Sequence, residues 1–501
     1  MFCLLVVQLH AQKKTVRSIQ IKHADSWSFD SDKNNAQVLK GNVVCEHDGT
    51  FLYCDTALVY DKETRMVASG HILITKGDSI RVTGQTLVYD GKTKMAVLQN
   101  NVKCVEKDMT LTTDYLTFDV GRSVANYYNG GKIVNKENTL VSKNGHYYSA
   151  GKEAAFHYDV ELTNPDYKMT SDTLRYKMTN KTAYFLGPSL ITSKTDYIYC
   201  ENGWYDTEKE ISQFSKNALL VTEQQKLRGD SLVYDRVSKT GIAYGNVTLV
   251  DTSQKSLIFG DFIRYKQDKS EALITKKALY ARIIEADTLF IAADTLYHTD
   301  IDSVDNFLNA YHHVRIFKKD LQAACDSSSM NTRDSILELF GSPFIWGKLM
   351  QATSRIMKIH LNKKELKGFT LDGKALLINQ VDSLHPNMFN QLLGRTITGT
   401  ITQDTIRKVV VSGNAEMLYF PKNNKSFVGL NRTTGTEIHM WFKQGEASRV
   451  TIRSKTEGTV DPIKDVDLTN ARLKGFNWQY EKRPKSRFEL HEPAGNEKKI
   501  R

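Results

Sequence analysis

Proline is scarce in this sequence, with 8 residues among 501. Proline cannot donate the backbone hydrogen bond that a β-ladder needs, so its scarcity favours a chain built from strands. After the N-terminus, no stretch approaches the ~18–20 consecutive apolar residues that a membrane-spanning helix requires. With 40% hydrophobic and 25% charged residues, the composition is that of a folded chain and excludes a disordered one.

Cysteines are few, and none of the six lies in a C-x-x-C pair. A zinc site is therefore not expected. Cys45 and Cys54 flank a turn at 48–49 and could face each other across a hairpin, so they form either a disulfide or two free thiols. Cys200 and Cys325 occupy positions where the repeat described below has small residues, and both are predicted to be unbridged.

Catalytic motifs are missing as well. The sequence contains no G-x-S-x-G, H-E-x-x-H or P-loop spacing, so no hydrolase site is predicted. The adjacent His312 and His313 lie in "NAYHHVRIF", an alternating strand that would turn one histidine to each face, and a surface or core role is favoured. We predict no enzymatic activity, no metal and no cofactor.

The charge and the N-terminus bear on partners and location. A net charge of +11 favours an anionic partner, such as phosphorylated lipid, acidic polysaccharide or nucleic acid, over a basic surface that only aids solubility. The first residues read "MFCLLVVQLHAQKK". The apolar run followed by Leu9-His10-Ala11 resembles the end of a secretory signal peptide, residues 1–11, without the usual positive start. We expect an exported, soluble chain.

A phrase of the form L-x-Y-D recurs with a period of about 29 residues. Periods of ~20–50 residues are typical of arrays of one supersecondary unit. The aromatic anchors of the copies are Tyr60, Tyr89, Phe118, Tyr148, Tyr176, Tyr205, Tyr234 and Tyr265, followed by degenerate anchors at His298 and Met330.

An apolar residue stands two positions before most anchors, as Leu87 does before Tyr89. Side chains two residues apart share one face of a strand, whereas the residue between them, here Val88, belongs to the other face. Each unit is therefore predicted to consist of two or three short antiparallel strands, with one dry face, one wetter face and no helix.

Two further positions recur in the unit. A small residue and an acid, as in Gly229-Asp230, stand just before the L-x-Y-D phrase. This pair predicts a tight bend at the start of a strand, whose carboxylate accepts local backbone hydrogen bonds. A "G-N-V" phrase, as at Gly245-Asn246-Val247, follows the second strand. One carboxylate per repeat does not form a calcium cage.

The C-terminal part follows a longer period of about 40 residues, in which Phe369, Val409 and Val450 are equivalent. The tail from residue 471 is basic and is expected to hang loose or to dock only through Phe476 and Trp478. The predicted domains are residues 12–340, 341–470 and 471–501, after the signal peptide.

The lines "GQTLVYDGKTKMAVLQNNV" (84–102) and "GDSLVYDRVSKTGIAYGNV" (229–247) resemble the OstA-like family of periplasmic lipopolysaccharide-transport proteins. The resemblance covers about residues 35–340 and extends less clearly to about 462. It implies an elongated antiparallel β-jellyroll, in which two stacked sheets form an open V that holds lipopolysaccharide acyl chains. It implies no catalytic residue.

The function implied by this resemblance is periplasmic lipopolysaccharide binding and transport, helping to bridge the inner and outer membranes, with a possible association with the outer membrane. The implied partners are lipopolysaccharide, other lipopolysaccharide-transport proteins at both membranes, and further copies of the chain stacked head to tail. The apolar groove would be lined by Leu58, Tyr60, Leu87, Tyr89, Leu116, Phe118, Leu174, Tyr176, Leu232, Tyr234, Ile263 and Tyr265.

An alternative is an exported β-solenoid that binds or processes polysaccharide at the cell surface. That class predicts clustered carboxylates and aromatic platforms on an outer face, and the only recurring carboxylates here are those of the repeat. Nucleic-acid binding is not favoured, because the aromatic residues occupy the dry face and are not interleaved with basic residues.

Overall fold

The computed structural model describes residues 18–47, 49–77, 80–148, 150–223, 225–252, 255–284, 287–300, 306–331, 333–361, 366–403, 405–423 and 426–491. Nearly all of them lie in antiparallel β-strands or in the turns between strands, and no α-helix occurs among them. The predicted all-β, antiparallel jellyroll class is confirmed. No helix in the described ranges is long and apolar enough to span a membrane. The predicted signal peptide, residues 1–11, lies outside the described residues.

The chain divides into two compact units, Met1–Lys216 and Asn217–Arg501. The domain boundaries expected after residues 340 and 470 stay predictions. The strands up to the division are β1 (Gln20–His23), β2 (Ser26–Asp30), β3 (Ala36–His47), β4 (Thr50–Tyr60), β5 (Arg65–Lys76), β6 (Ile80–Asp90), β7 (Met95–Glu106), β8 (Met109–Asp119), β9 (Val124–Tyr127), β10 (Gly131–Asn135), β11 (Asn138–Ser142), β12 (Asn144–Tyr148), β13 (Glu153–Thr163), β14 (Lys168–Lys177), β15 (Thr182–Thr192), β16 (Tyr197–Asp206) and β17 (Ile211–Val221).

The second unit continues with β18 (Gln225–Asp235), β19 (Thr240–Asp251), β20 (Ser256–Lys266), β21 (Glu271–Ile284), β22 (Asp287–Asp300), β23 (Asn306–Lys318), β24 (Leu321–Asn331), β25 (Ile336–Phe340), β26 (Phe344–Gly347), β27 (Met350–Thr353), β28 (Ile356–Leu361), β29 (Leu366–Gln380), β30 (Phe389–Thr402), β31 (Thr405–Tyr419), β32 (Lys422–Asn423), β33 (Ser426–Phe427), β34 (Gly429–Lys443), β35 (Glu446–Arg453) and β36 (Glu457–Pro462). Short 3-10 turns cover Gln267–Lys269, Ile463–Asp465, Tyr480–Lys482 and Arg487–His491.

A regular repeat consists of two long strands rather than two or three short ones. From β3 to β8 each strand has 11 or 12 residues and pairs antiparallel with the next strand along the chain. The "IRV" segment at 80–82 is not a separate short strand but the first part of β6, which continues through the L-x-Y-D phrase. The prediction of separate short strands is therefore wrong in this unit.

Each regular strand pair carries a β-bulge near its middle. The ladder between β18 and β19 shifts register between Arg228 and Ser231, opposite Gly245 and Asn246. Both bulge residues have left-handed backbones, with φ of 66° and 48°. Glycine adopts this conformation at no steric cost, and asparagine adopts it more readily than most residues. The recurring "G-N" pair therefore marks a bulge, which bends the strand within the repeat.

The acid of the repeat lies beside this bulge, in the middle of a strand, so the prediction that it begins a strand is wrong. Asp230 accepts a hydrogen bond from the side chain of Asn246, from Nδ2 to Oδ2, at 3.1 Å. Asp55 and His71 form an equivalent contact at 2.7 Å between Oδ2 and Nδ1. The carboxylate therefore holds the bulge of the neighbouring strand through that strand's side chain.

His312 and His313 form the bulge of β23 and are both exposed. Their φ angles of 62° and 54° break the alternation of the strand. The Nδ1 atom of His313 lies 2.8 Å from the Asp294 carboxylate, and that of His312 lies 3.4 Å from Asp326. The expectation that one histidine faces each way is wrong, because two consecutive left-handed residues turn both side chains outward.

The anchors of the repeat form rows of cross-strand partners. In the first unit, Ala96 pairs with both Tyr89 and Phe118. In the second unit, Gly399 pairs with both Phe369 and Val409, so the predicted equivalence of these two residues is confirmed. The 29-residue and 40-residue periods therefore describe one architecture, in which the C-terminal strands β29, β30, β31 and β34 are longer, at 14 or 15 residues.

All described cysteines are free thiols. Cys45 and Cys54 lie on adjacent strands but pair with Leu52 and Val43 rather than with each other. Burial raises the pKa of Cys45 to about 11. The prediction that Cys200 and Cys325 are unbridged is confirmed.

Residues 471–491, called the tail below, are bound to the second unit by more than the two aromatic residues expected. Phe476 and Trp478 do pack against Leu376, Ile378 and Phe389. Backbone groups of the tail also form hydrogen bonds with the buried side chains of Gln351 and Gln391. The side chain of Leu490 is buried as well. The expectation that this segment hangs loose or docks only through two side chains is therefore wrong for residues 471–491; residues 492–501 lie outside the described part.

Candidate ligand-binding cavity

The leucine position of the repeat forms the core of each unit. Leu87, Leu116 and Leu174 are buried in the first unit, and Leu232 and Ile263 are buried in the second. The residues between leucine and anchor face the other way, since Val88 and Arg175 are exposed. The predicted alternation of faces is therefore present. Burial of the leucines also means that, in this structure, protein side chains already cover this part of the dry face.

The aromatic anchors lie at the margin of the same face, one residue before the turn that follows the L-x-Y-D phrase. Tyr89 is buried, Phe118 and Tyr176 are half-buried, and Tyr234 and Tyr265 are 38% and 41% exposed. An amphipathic ring suits such a margin, because it presents an apolar body and a polar hydroxyl. The anchors therefore form a partly exposed rim beside the leucine core.

Two of the predicted groove residues, Leu58 and Tyr60, lie on the opposite face. The row of anchors passes through Val59, which pairs with Met66, the partner of Tyr89. Val59 is buried, whereas Leu58 and Tyr60 are only half-buried. The prediction places the anchor of the first copy at Tyr60, one residue too late. A shift of one residue reverses the face of every side chain in a strand. The anchor at Tyr148 carries the same error, since Tyr147 occupies the row.

The longer strands of the second unit enclose a cavity of about 980 Å³. Such a volume lies at the upper end of the ~300–1,000 Å³ typical of small-molecule sites. The strands β29, β30 and β31 line it along their whole length, since residues from both ends of each strand contribute. The cavity therefore runs along the strand direction. None of the twelve groove residues predicted from sequence lines it.

Apolar side chains dominate the interior of this cavity. Leu371 of β29, Val409 and Met417 of β31, and Met440 of β34 are all buried and line it. Phe369, an equivalent of the aromatic anchors, lines it too. Burial of apolar ligand surface against such a wall is favourable at roughly 0.8 kcal/mol per methylene. The interior therefore suits hydrocarbon rather than a polar metabolite.

The tail forms part of the cavity wall, through Tyr480, Arg483, Pro484 and Lys485. The hydroxyl of Tyr480 accepts a hydrogen bond from the backbone N–H of Leu349 at 3.1 Å. The Arg483 guanidinium lies 3.9 Å from the centroid of the Tyr480 ring. These contacts fix the tail beside the end of the cavity where β26 and β27 meet.

Two buried glutamines hold the tail in place. Gln351 donates to the carbonyl of Asn477 at 2.6 Å and accepts from the N–H of Gln479 at 2.7 Å. Gln391 makes the same pair of bonds with Ala471 and Leu473. Both glutamine side chains are fully buried, so these bonds satisfy groups that have no access to water. Buried amides on two strands therefore identify the tail as a built part of the second unit.

A half-buried arginine of the tail lies against two aromatic rings. The Arg472 guanidinium lies 4.8 Å from the Phe389 ring centroid and 4.5 Å from that of Phe476. Burial lowers the pKa of Arg472, and the charge of Asp467 partly opposes this effect. Cation–π contacts of this kind stabilise a desolvated cation. The expectation of a basic tail free in solvent missed this arrangement.

The outer face of the first unit has a second cavity, of about 640 Å³, lined by Tyr148, His157 and Arg175 among others. The rings of His146 and Tyr148 stack with centroids 6.4 Å apart. Burial, together with the nearby His157, lowers the pKa of His146. An outer aromatic surface is the feature that the polysaccharide alternative predicts. Within the described residues, no group of three or more His, Cys, Asp or Glu side chains is placed to hold a metal ion.

Comparison with protein families bears on the repeats. Residues 16–172 match the family model described as OstA-like protein. This segment is OstA-like. The family resemblance inferred from the repeated phrase is thereby confirmed over the OstA-like segment, which includes the copies anchored at Tyr89 and Phe118.

A similar solved structure is that of LptH, described as the LptA homologous periplasmic component of the conserved lipopolysaccharide transport device from Pseudomonas aeruginosa. It is 18% identical, covers 29% of this chain and 94% of its own, and has a TM-score of 0.17. No curated protein sequence matches the chain.

Proposed function

We propose that this chain is an exported lipid-binding protein of the lipopolysaccharide-transport type, which shields acyl chains on the apolar inner faces of its β-units. The observation that carries the proposal is the apolar cavity of about 980 Å³ along β29, β30 and β31, in a chain whose residues 16–172 are OstA-like. The proposed location is the periplasm. The proposed partners are lipopolysaccharide, other lipopolysaccharide-transport proteins at the two membranes, and further copies of the chain.

The energetics fit a carrier of hydrocarbon. Burying about twelve methylenes of one acyl chain would contribute on the order of 10 kcal/mol before the cost of association. The cavity walls are ordered strands, so little conformational entropy is lost from the protein when the ligand binds. A carrier needs binding strong enough to extract the lipid and a site open enough to release it.

The experiment is to purify the protein from a native envelope without detergent and to identify bound molecules by mass spectrometry. An unrelated exported β-protein of similar size, purified in parallel, serves as the control for carry-over. The proposal expects acylated, phosphorylated lipid in near-stoichiometric amount with this chain alone. Equal and trace amounts of lipid in both samples would refute it.

A second candidate is polysaccharide binding at the cell surface, favoured by the aromatic outer cavity at Tyr148, His157 and Arg175. It predicts that soluble oligosaccharides bind the purified protein and that Tyr148→Ala weakens this binding. A lipid-free protein that binds oligosaccharide would favour this candidate over the first.

A further inference from the structure

The two ends of the large cavity differ in chemistry. Asn379, Asn390 and Tyr419 form one end of the cavity. They lie at those ends of β29, β30 and β31 that are nearest to the turn between β26 and β27. This is the tail-side end. The other end is formed by Leu366 and Thr405 with their neighbours, and is called the far end. A ligand lying along the strands would therefore have its two ends in different surroundings.

Among the described residues that line the cavity, positive charge occurs only at the tail-side end. The cations there are Lys319, Lys348, Arg483 and Lys485, accompanied by one acid, Asp320. Asp320 lies 2.6 Å from the ammonium group of Lys318, which therefore offsets its charge. Lys319, Lys348 and Lys485 are exposed at this margin, so they are hydrated and reachable from solvent. The ammonium group of Lys485 lies 3.7 Å from the exposed Glu481 carboxylate, a solvent-screened pair that an incoming phosphate would compete with.

The described residues that line the far end are uncharged: Leu366, Phe369, Ile401, Thr405, Ile406, Phe442 and Gly445. The cavity thus combines a cationic margin, an apolar interior and an uncharged far end. This polarity matches an amphiphile with one anionic head, and it does not match a ligand charged at both ends. Ammonium and guanidinium groups form strong charge-assisted hydrogen bonds with phosphate oxygens.

We infer that the cavity binds a phosphorylated acyl lipid in one direction, with its head group at the tail-side end and its acyl chains pointing to the far end. This inference rests on the proposed function and adds the head-group chemistry and the orientation. Because Arg483 and Lys485 belong to the tail, the chain's own C-terminal segment provides half of the head-group site. The tail is therefore both a wall of the cavity and a positioning element for the lipid phosphate.

The experiment compares two charge reversals in the full chain. The first variant, Lys348→Glu with Lys485→Glu, changes the tail-side end. The matched control, Arg407→Glu with Lys443→Glu, changes two exposed cations beside the far end by the same net charge. The probes are purified bisphosphorylated lipid A, dimyristoyl phosphatidic acid and the neutral dye N-phenyl-1-naphthylamine, with affinities measured at low ionic strength.

We expect the tail-side variant to bind lipid A about tenfold more weakly than the wild type, with dye binding unchanged, because two attractive contacts become repulsive. The control should bind all three probes as the wild type does. An equal loss for phosphatidic acid would assign the site to phosphorylated acyl lipids in general, and a loss for lipid A alone would assign it to that lipid.

Equal weakening by both variants, or no weakening by either, would overturn the inferred orientation while leaving the proposed function intact, provided that the wild type binds lipid A. If the wild type binds neither lipid, the proposed function fails together with this inference. Unchanged far-ultraviolet circular dichroism and unchanged dye binding show that a variant is folded.

Discussion

Gln391 donates a hydrogen bond from its side-chain amide to the backbone carbonyl of Ala471 at 2.9 Å, 80 residues further along the chain. The same side chain accepts the backbone N–H of Leu473 at 2.8 Å. With one donated and one accepted hydrogen bond, the side-chain amide pairs with the backbone of the tail as a neighbouring strand would. Removal of this side chain leaves the N–H of Leu473 without this partner, whereas the carbonyl of Ala471 keeps a hydrogen bond from the Arg472 guanidinium at 2.9 Å.

The Gln391→Leu variant should therefore lose about 1–3 kcal/mol of unfolding free energy, the cost of one buried polar group left unsatisfied. The measurement is chemical denaturation of the full chain. A double-mutant cycle with a chain ending at residue 470 isolates the contribution of the tail. An equal loss from Gln391→Leu in the full and the shortened chain would show that this glutamine does not act through the tail.

The bulge at Gly245 and Asn246 gives a second prediction. Replacing Asn246 by Val places a β-branched residue at a φ of 48°, and the left-handed region costs such a residue roughly 1–2 kcal/mol. We expect Asn246→Val to lower the melting temperature by several degrees and Asn246→Gly to change it little. Thr248→Val, two residues further along the same strand, is the control. Equal effects of the two valines would contradict the account of the bulge.

The buried thiols give a third prediction. Burial is the main cause that raises the pKa of Cys200 to about 11 and that of Cys54 to about 12. A folded-state pKa above the ordinary value of 9.0 means that this contribution to stability is present below pH 9 and is lost as pH rises toward 11. In a variant with Cys3, Cys104 and Cys325 replaced by Ser, which leaves only the buried thiols, we therefore expect no reaction with Ellman's reagent at pH 8 until denaturant is added. Rapid labelling of the native protein would show that these thiols are accessible.

The small-residue positions of Cys200 and Cys325 extend this prediction. Replacing both by Ala should change the unfolding free energy by at most about 1 kcal/mol each, because neither forms a disulfide. Calorimetry of the double variant tests it. If the double variant fails to fold, and if the wild type folds only with an oxidant, the two cysteines form a disulfide and the prediction is wrong.

The volume of the cavity gives a fourth prediction. Val409 lines the cavity and is fully buried, whereas the next residue, Val410, belongs to the other face of β31 and does not line it. We expect Val409→Trp to fill part of the cavity and to weaken both dye and lipid binding at least severalfold. Val410→Trp is the matched control and should bind normally. Similar losses in both variants would place the ligand elsewhere.

The architecture of the repeats could be predicted from sequence because its signals are local. An apolar residue two positions before an aromatic anchor, as Leu87 stands before Tyr89, indicates the face of the strand in most copies. The alignment failed at Tyr60 because the first copy has an extra residue between its acid and its tyrosine, and only the ladder partners reveal that Val59 holds the anchor position.

The bulges and the cavity could not be predicted in the same way. "G-N" also occurs in hairpin turns, and only the long-range partner Asp230 shows that Asn246 lies inside a strand. The cavity forms where the inward side chains of the long strands β29, β30 and β31 do not fill the space that the strands enclose. No short sequence motif encodes this difference in volume. The docking of the tail could not be predicted because the glutamines that hold it, Gln351 and Gln391, lie 80 or more residues before their partners.

Site-specific photo-crosslinking in cells tests the lipid-binding claim most directly. A photoreactive residue at an inward position, 87, 174, 232 or 409, is compared with the same residue at its outward neighbour, 88, 175, 233 or 410. If the inner faces carry acyl chains, lipopolysaccharide will be captured at inward positions, most strongly at 409 inside the cavity, and not at outward ones, because adjacent residues of a strand face opposite ways. Equal capture at both sets, or capture at neither, would mean that the inner faces are a purely structural core and would contradict the account.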